Sequence, residues 1–74
     1  MTGIPLLPSH EVVHLLGLFG FAPIRQSGTH NHLLHPGKNR LVTVPSHPEL
    51  APGTLLAILK KAGIDPDEFL KLRE

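Results

Sequence analysis

Glycine and proline divide this chain into short segments, and that division limits what it can fold into. Seven glycines and eight prolines are spread over 74 residues, so no helix or strand runs far before it meets a residue that ends it. The chain contains no cysteine, which excludes disulfides and cysteine-based zinc sites. We therefore expect one small domain over residues 1–74, held together by apolar packing.

Apolar residues at helical spacing predict a helix on each side of the middle of the chain. The first helix is expected to begin after Ser9 as N-cap and to end at Gly20, and the second to run from Thr54 as N-cap to Gly63. Their apolar stripes are Val12, Leu15, Leu16 and Phe19 in the first helix, and Leu55, Ile58, Leu59 and Ala62 in the second.

A short third helix is predicted directly after Gly63. Asp65 is its expected N-cap, Pro66 occupies the first helical position, and Glu68 completes a capping box. Phe69 and Leu72 are then expected to point toward the core.

Three β-prone segments lie between the two longer helices, at residues 22–26, 30–35 and 40–45. Pro23 cannot donate a ladder hydrogen bond, so the first segment is expected at a sheet edge. Residues 36–39 form a turn, which favours an antiparallel meander with residues 30–35 in the middle. The order α-β-β-β-α with a short C-terminal helix predicts an α+β two-layer sandwich with one open sheet face.

The turn at residues 36–39 predicts which residues of the second and third strands lie opposite each other. A turn centred on residues 37–38 places position 33 opposite 42 and position 30 opposite 45, so that His47 approaches His30. Side chains alternate along a strand, so Leu33 would face the helices while His30 and His32 point to the open side. Arg25 and Gln26 would flank His30 from the first strand.

These residue types suit cleavage of an RNA phosphodiester. Such a reaction needs a base for the 2′-hydroxyl, an acid for the leaving 5′-oxygen and cations for the phosphorane charge. His30 is the candidate acid or base, and His47 or His32 its complement. The candidates for holding phosphate are Arg25, Lys60 and Lys61; Gln26, Gly28 and Thr29, close to His30, complete the predicted RNA-binding set.

Metal binding is the competing interpretation of the histidines. His30 with His32, and His10 with His14, are spaced to share one face of a strand and of a helix. Zinc usually takes three or four ligands, however, and no carboxylate lies between Glu11 and Glu49. We therefore predict neither a metal nor a cofactor, and assign no chemistry to the remaining histidines, His10, His14 and His35.

Charge and hydropathy add weaker constraints. The formal net charge is +1, but residues 1–64 hold five bases and two acids, which allows a modest anion-binding face. No apolar stretch approaches the ~20 residues that span a membrane, and no signal peptide is evident. We expect a cytoplasmic protein that has no membrane partner.

Several motifs together resemble a known family, the HicA-type toxins, over about residues 8–72. The motifs are Gly20-Phe21, Arg25-Gln26-x-Gly28-Thr29-His30, His35-Pro36, Val42-Thr43-Val44-Pro45-x-His47 and Pro52-Gly53-Thr54-Leu55 followed by Ile58-Leu59-Lys60-x-Ala62-Gly63-Ile64. The resemblance implies a fold like a double-stranded-RNA-binding domain and a ribonuclease, an mRNA interferase of a type II toxin–antitoxin pair. It implies that His30 is catalytic and that a HicB-type antitoxin covers it. Asn31 and Leu33 depart from the family, in which a second basic residue and an aromatic are common.

A non-catalytic RNA-binding or protein-interaction module on the same fold is the alternative, because shape-reading RNA domains bind phosphates and 2′-hydroxyls without chemistry. The predicted fold also leaves apolar side chains outside the core, which often marks a partner surface. We expect the antitoxin to dock on part of this set, which is Val13, Leu18, Leu34 and Leu41.

Overall fold

A computed structural model describes residues 4–73 and has the predicted α+β architecture. The elements are α1 (Ser9–Leu18), β1 (Ala22–Ser27), β2 (His30–His35), β3 (Arg40–Pro45), α2 (Pro52–Ala62) and α3 (Pro66–Lys71). The strands form one antiparallel sheet in the order β1-β2-β3. Element order and sheet topology are those of a double-stranded-RNA-binding-domain-like fold, and β2 lies in the middle as expected.

The core lies between one face of the sheet and the two longer helices. The sheet contributes Leu33, Val42 and Val44, which are at most 1% exposed. The predicted helix stripes meet them, with Val12, Leu15, Leu16, Leu55, Ile58, Leu59 and Ala62 all buried. Phe19 is half-buried and stacks on Phe69 of α3, with ring centroids 6.0 Å apart.

The predicted strand register is confirmed. Leu33 pairs with Val42 and His30 pairs with Pro45. The strand predicted at residues 22–26 extends one residue further, to Ser27, because the two-residue turn that follows lets Ser27 pair with His30. A bulge between Pro23 and Arg25 interrupts the β1–β2 register.

The N-caps predicted for the two longer helices, Ser9 and Thr54, are wrong. Helix α1 begins at Ser9 itself, with Pro8 as the N-cap, and the Ser9 N–H donates to the His47 carbonyl at 3.0 Å. A tertiary contact thus satisfies one of the N–H groups at the start of the helix that have no partner within it. Helix α2 begins at Pro52, whose fixed φ suits the first helical position, so Thr54 lies within the first turn rather than at the cap.

The short third helix begins as predicted, with the Asp67 N–H donating to Asp65 Oδ1 at 2.9 Å. Within residues 4–73 no return bond from Glu68 completes the capping box. Phe69 is fully buried, but Leu72 is 46% exposed, contrary to prediction. Since α3 ends at Lys71, Leu72 falls beyond the last turn, and Phe69 together with half-buried Leu70 packs this segment against the core.

Candidate functional site

A two-residue turn delivers His30 to the start of β2. Gly28 and Thr29 connect Ser27 to His30, and Gly28 has a φ of 60° while Thr29 does not have a positive φ. This is the pattern of a type II′ turn, which needs glycine at its first central position and suits the right-handed twist of a hairpin. The glycine therefore fixes which residue of β1 lies opposite His30.

The open face of the sheet carries a cluster of polar and basic side chains. Ser27 pairs with His30, Arg25 pairs with His32, and His32 pairs with Thr43 on the other side. Directly opposed residues in an antiparallel sheet project from the same face, so these five side chains share one surface. We call this set, Arg25, Ser27, His30, His32 and Thr43, the basic cluster.

The two histidines of the basic cluster have different surroundings. His30 is exposed, whereas His32 is half-buried and its Nδ1 lies 3.2 Å from Thr43 Oγ1 in a hydrogen bond. This bond fixes the imidazole of His32 and leaves its Nε2 for another partner. His30 and His32 are two residues apart on one strand, or roughly 7 Å along it.

The structure separates three residues of the predicted RNA-binding set from the open face. Gln26 pairs with Asn31 on the opposite face, and its Nε2 donates to the Gly28 carbonyl at 3.5 Å. Lys60 and Lys61 lie in the last turn of α2, which packs against the covered face. Lys61 approaches the outer edge of β3, where it lines a groove together with Thr43.

The backbone around His47 is held beside the β1–β2 turn. The Ser46 N–H donates to the Thr29 carbonyl at 2.6 Å, and the His47 carbonyl accepts the bond from Ser9 at the start of α1. The side chain of His47 is exposed. This segment thus links the turn that carries His30 to the first helix.

The alternate residues of β2 are structural. Asn31 lies on the covered side and its Nδ2 donates to Ser46 Oγ at 3.1 Å, while Leu33 is fully buried. His35 packs edge-on against Phe21, with ring centroids 5.2 Å apart, and its Nδ1 accepts from the Lys38 N–H at 3.1 Å. His35 thus closes the β2–β3 turn.

Ser27 and Thr43 belong to the basic cluster but were not predicted as site residues. The signal was available, since a turn that places 33 opposite 42 also places 32 opposite 43. Counting back from the Gly28-Thr29 turn likewise brings Ser27 opposite His30. Both residues were missed because hydroxyl side chains in strands are common and carry no chemistry without their partners.

Within residues 4–73, no three histidine, aspartate or glutamate side chains come close enough together to hold a metal ion. Over the same residues, no helix is long and apolar enough to cross a membrane.

Comparison with known families agrees with the motifs and the fold. A family model described as the HicA toxin of bacterial toxin–antitoxin systems matches residues 9–64 of the 74. The match includes α1, the whole sheet and α2. The chain therefore belongs to the HicA toxin family, and this membership implies an antitoxin partner. No individual curated protein matches the chain.

Proposed function

We propose that this protein is an endoribonuclease that cleaves mRNA, with His30 as a catalytic residue. The observation that carries the proposal is the basic cluster, in which His30 shares an exposed sheet face with His32 and Arg25. Membership in a toxin family supports a damaging activity. We expect the protein to act in the cytoplasm, where its mRNA substrate is found.

The spacing of the two histidines suits cleavage through the 2′-hydroxyl. One imidazole accepts the 2′-hydroxyl proton as the 2′-oxygen attacks phosphorus, and the other donates a proton to the departing 5′-oxygen. In an in-line displacement these oxygens lie on opposite sides of phosphorus. Imidazoles roughly 7 Å apart along a strand can flank one phosphate. The products are a 2′,3′-cyclic phosphate and a free 5′-hydroxyl.

Arg25 is the cation best placed to stabilise the phosphorane. It lies directly opposite His32 on the open face, and it makes no ion pair within residues 4–73. A guanidinium can donate two parallel hydrogen bonds to non-bridging phosphate oxygens as negative charge builds on them. His47, beside the turn, is the alternative partner for His30.

The test is cleavage of a long single-stranded RNA in the presence of EDTA. We expect His30→Ala to lower the rate by about 10²–10⁴-fold, the usual contribution of a general acid or base. His14→Ala, on the exposed side of α1, is the matched control and should cut like the wild type. Separate His32→Ala and His47→Ala variants then identify the second catalytic group.

Two results would overturn this proposal. If His30→Ala cuts at the wild-type rate, the activity does not depend on the basic cluster. If the wild type binds RNA but never cuts it, the protein is an RNA-binding module on the same fold. A substrate with 2′-deoxyribose at the cleavage position provides a further check, because without the 2′-hydroxyl no cut can occur there by this route.

We also propose that a HicB-type antitoxin neutralises the protein by covering the open face. Leu34 and Leu41 pair across β2 and β3 beside the basic cluster, and Leu41 is 48% exposed. A partner that packs on this apolar pair would lie next to the catalytic side chains and could cover His30. Amide exchange at residues 30–34 should slow when antitoxin is added, and unchanged exchange there would contradict this placement.

A further inference from the structure

The two edges of the sheet are not equally protected against pairing with another strand. At the β1 edge, Pro23 lacks an N–H and a bulge follows it before Arg25. Both features are common means by which edge strands avoid intermolecular pairing. The β3 edge has no proline before Pro45 and pairs with β2 without a bulge over residues 40–45. The β3 edge is therefore the one available to a further strand.

The hydrogen-bond pattern shows which backbone groups face outward at β3. Antiparallel partners alternate between bonded and non-bonded pairs. Since the Ser46 N–H bonds to the Thr29 carbonyl, the inward-bonding residues of β3 are Val44, Val42 and Arg40. Leu41 and Thr43 then direct their N–H and C=O groups away from β2. No turn or helix backbone group within residues 4–73 bonds to either of them.

A groove of about 220 Å³ runs along this edge between β3 and α2. Thr54, Ala57, Ile58 and Lys61 form its helical wall, and Val42, Thr43 and Pro45 form its strand wall. Small and aliphatic side chains predominate, so the groove can accept alternate apolar side chains of a strand that pairs with β3.

The end of the groove nearest the start of β3 is positively charged. Lys61 lines it, and Arg40 Nη1 donates to the Lys61 carbonyl at 2.8 Å, which holds the guanidinium beside it. Within residues 4–73 the only ion pair joins Arg73 to Glu11, so both groove cations lack a carboxylate partner. Charge complementarity therefore selects an occupant with acidic side chains.

We infer that the β3 edge and its groove bind an extended, acidic segment of a partner protein, which adds a fourth strand to the sheet. Main-chain hydrogen bonds to Leu41 and Thr43 hold the segment. Its apolar side chains on the α2 side enter the groove, and an acidic side chain on that same side, at the end of the segment nearest the start of β3, meets Lys61 and Arg40. RNA could satisfy the cations but leaves the backbone donors and apolar walls unused, so a peptide is the better match. This inference is independent of the proposed ribonuclease activity.

The test uses isotope-labelled full-length protein and two short capped peptides in which valine and threonine alternate. In the valine–glutamate peptide glutamate replaces the valine nearest each end, and in the valine–lysine peptide lysine replaces it, so that the charged side chain lies on the same face as the valines. We expect amide shifts confined to residues 41–45 and 54–61, with slowed exchange at Leu41 and Thr43. A valine–lysine peptide should bind at least about tenfold more weakly, because it meets the two cations with like charge. A valine–glutamate peptide N-methylated along one edge should lose binding, since it cannot pair with β3.

Two variants provide matched controls. Ala57→Glu places a bulky anion in the groove and should abolish binding of the valine–glutamate peptide, whereas Leu56→Glu, on the same helix but outside the groove, should retain it. Lys61→Glu should shift the preference toward the valine–lysine peptide. Circular dichroism of each variant confirms that the fold is retained.

Other outcomes would overturn the inference. Equal binding of both peptides would reduce the site to a non-specific apolar edge. Shifts outside the groove, or no binding at millimolar peptide, would exclude strand addition at β3. Shifts at the groove with a single-stranded oligonucleotide but with neither peptide would assign these cations to RNA instead.

Discussion

The two ends of β2 show how one strand gives histidines opposite roles. His30 is exposed at the first position, on the open face, whereas His35 is half-buried at the last position, on the covered side. His35 contacts Phe21 and accepts a backbone hydrogen bond from Lys38, so both the ring and one nitrogen are engaged. The period-two alternation of the strand, rather than the residue type, decides which histidine is available for chemistry.

The two faces of β2 should differ most in how much a leucine on each contributes to stability. Leu33 is fully buried and Leu34 is half-buried on the open side. We expect Leu33→Ala to lower the free energy of unfolding by about 2–5 kcal/mol, because it leaves a cavity in a thin core. Leu34→Ala should lower it by less than about 1 kcal/mol. Urea denaturation measures both, and similar losses for the two variants would contradict the division into faces.

A smaller difference in the free energy of unfolding is expected between variants of His35 and His30. His35→Ala removes an aromatic contact and leaves the Lys38 N–H without its side-chain acceptor, which should cost about 1–2 kcal/mol. His30→Ala should change the free energy of unfolding by less than about 0.5 kcal/mol, because the side chain is exposed. The same denaturation experiment measures both changes.

RNA cleavage should rank the two variants the other way. His30→Ala removes the proposed catalytic group and should lose activity, whereas His35→Ala removes no catalytic group. His35→Ala should therefore cut RNA at temperatures where it remains folded. If His35→Ala is inactive while folded and His30→Ala is unstable, the assignment of roles to the two ends of β2 is wrong.

A structural feature could be predicted from the sequence where the contact that determines it is between residues close together in the chain. The β2–β3 register followed from a single turn, and with it the burial of Leu33, Val42 and Val44. The start of α1 did not, because the His47 carbonyl that bonds to Ser9 comes from a distant part of the chain. Thr54 was misplaced for a local reason, since Pro52 was available to begin the helix two residues earlier.

The candidate site shows the same limit. Arg25, His30 and His32 share a face that alternation and turn geometry make predictable. The same alternation places Gln26, one residue from Arg25, on the other face; it was predicted as a site residue only because it is close to His30 in the sequence. The placement of Lys61 beside Thr43 depends on how α2 packs across the sheet, which no local pattern encodes.

A further prediction concerns the Gly28-Thr29 turn, on which the division of β1 into two faces depends. Gly28 has a φ of 60°, and a Cβ built there meets no atom within 4 Å, so Gly28→Ala adds backbone strain without a clash. We expect a loss of about 1 kcal/mol. Gly17→Ala is the matched control: it also meets no atom, but in a helix, so it should raise the free energy of unfolding by about 0.5–1 kcal/mol.

The turn variant also tests whether register and chemistry are coupled. A strand that slips by one residue moves every side chain to the other face, so a slipped β1 would take Arg25 away from His32. If Gly28→Ala lowers RNA cleavage by much more than its loss of folded protein explains, the turn maintains the alignment of the basic cluster. If activity simply follows the folded fraction, the β1–β2 register and the position of Arg25 do not depend on the glycine.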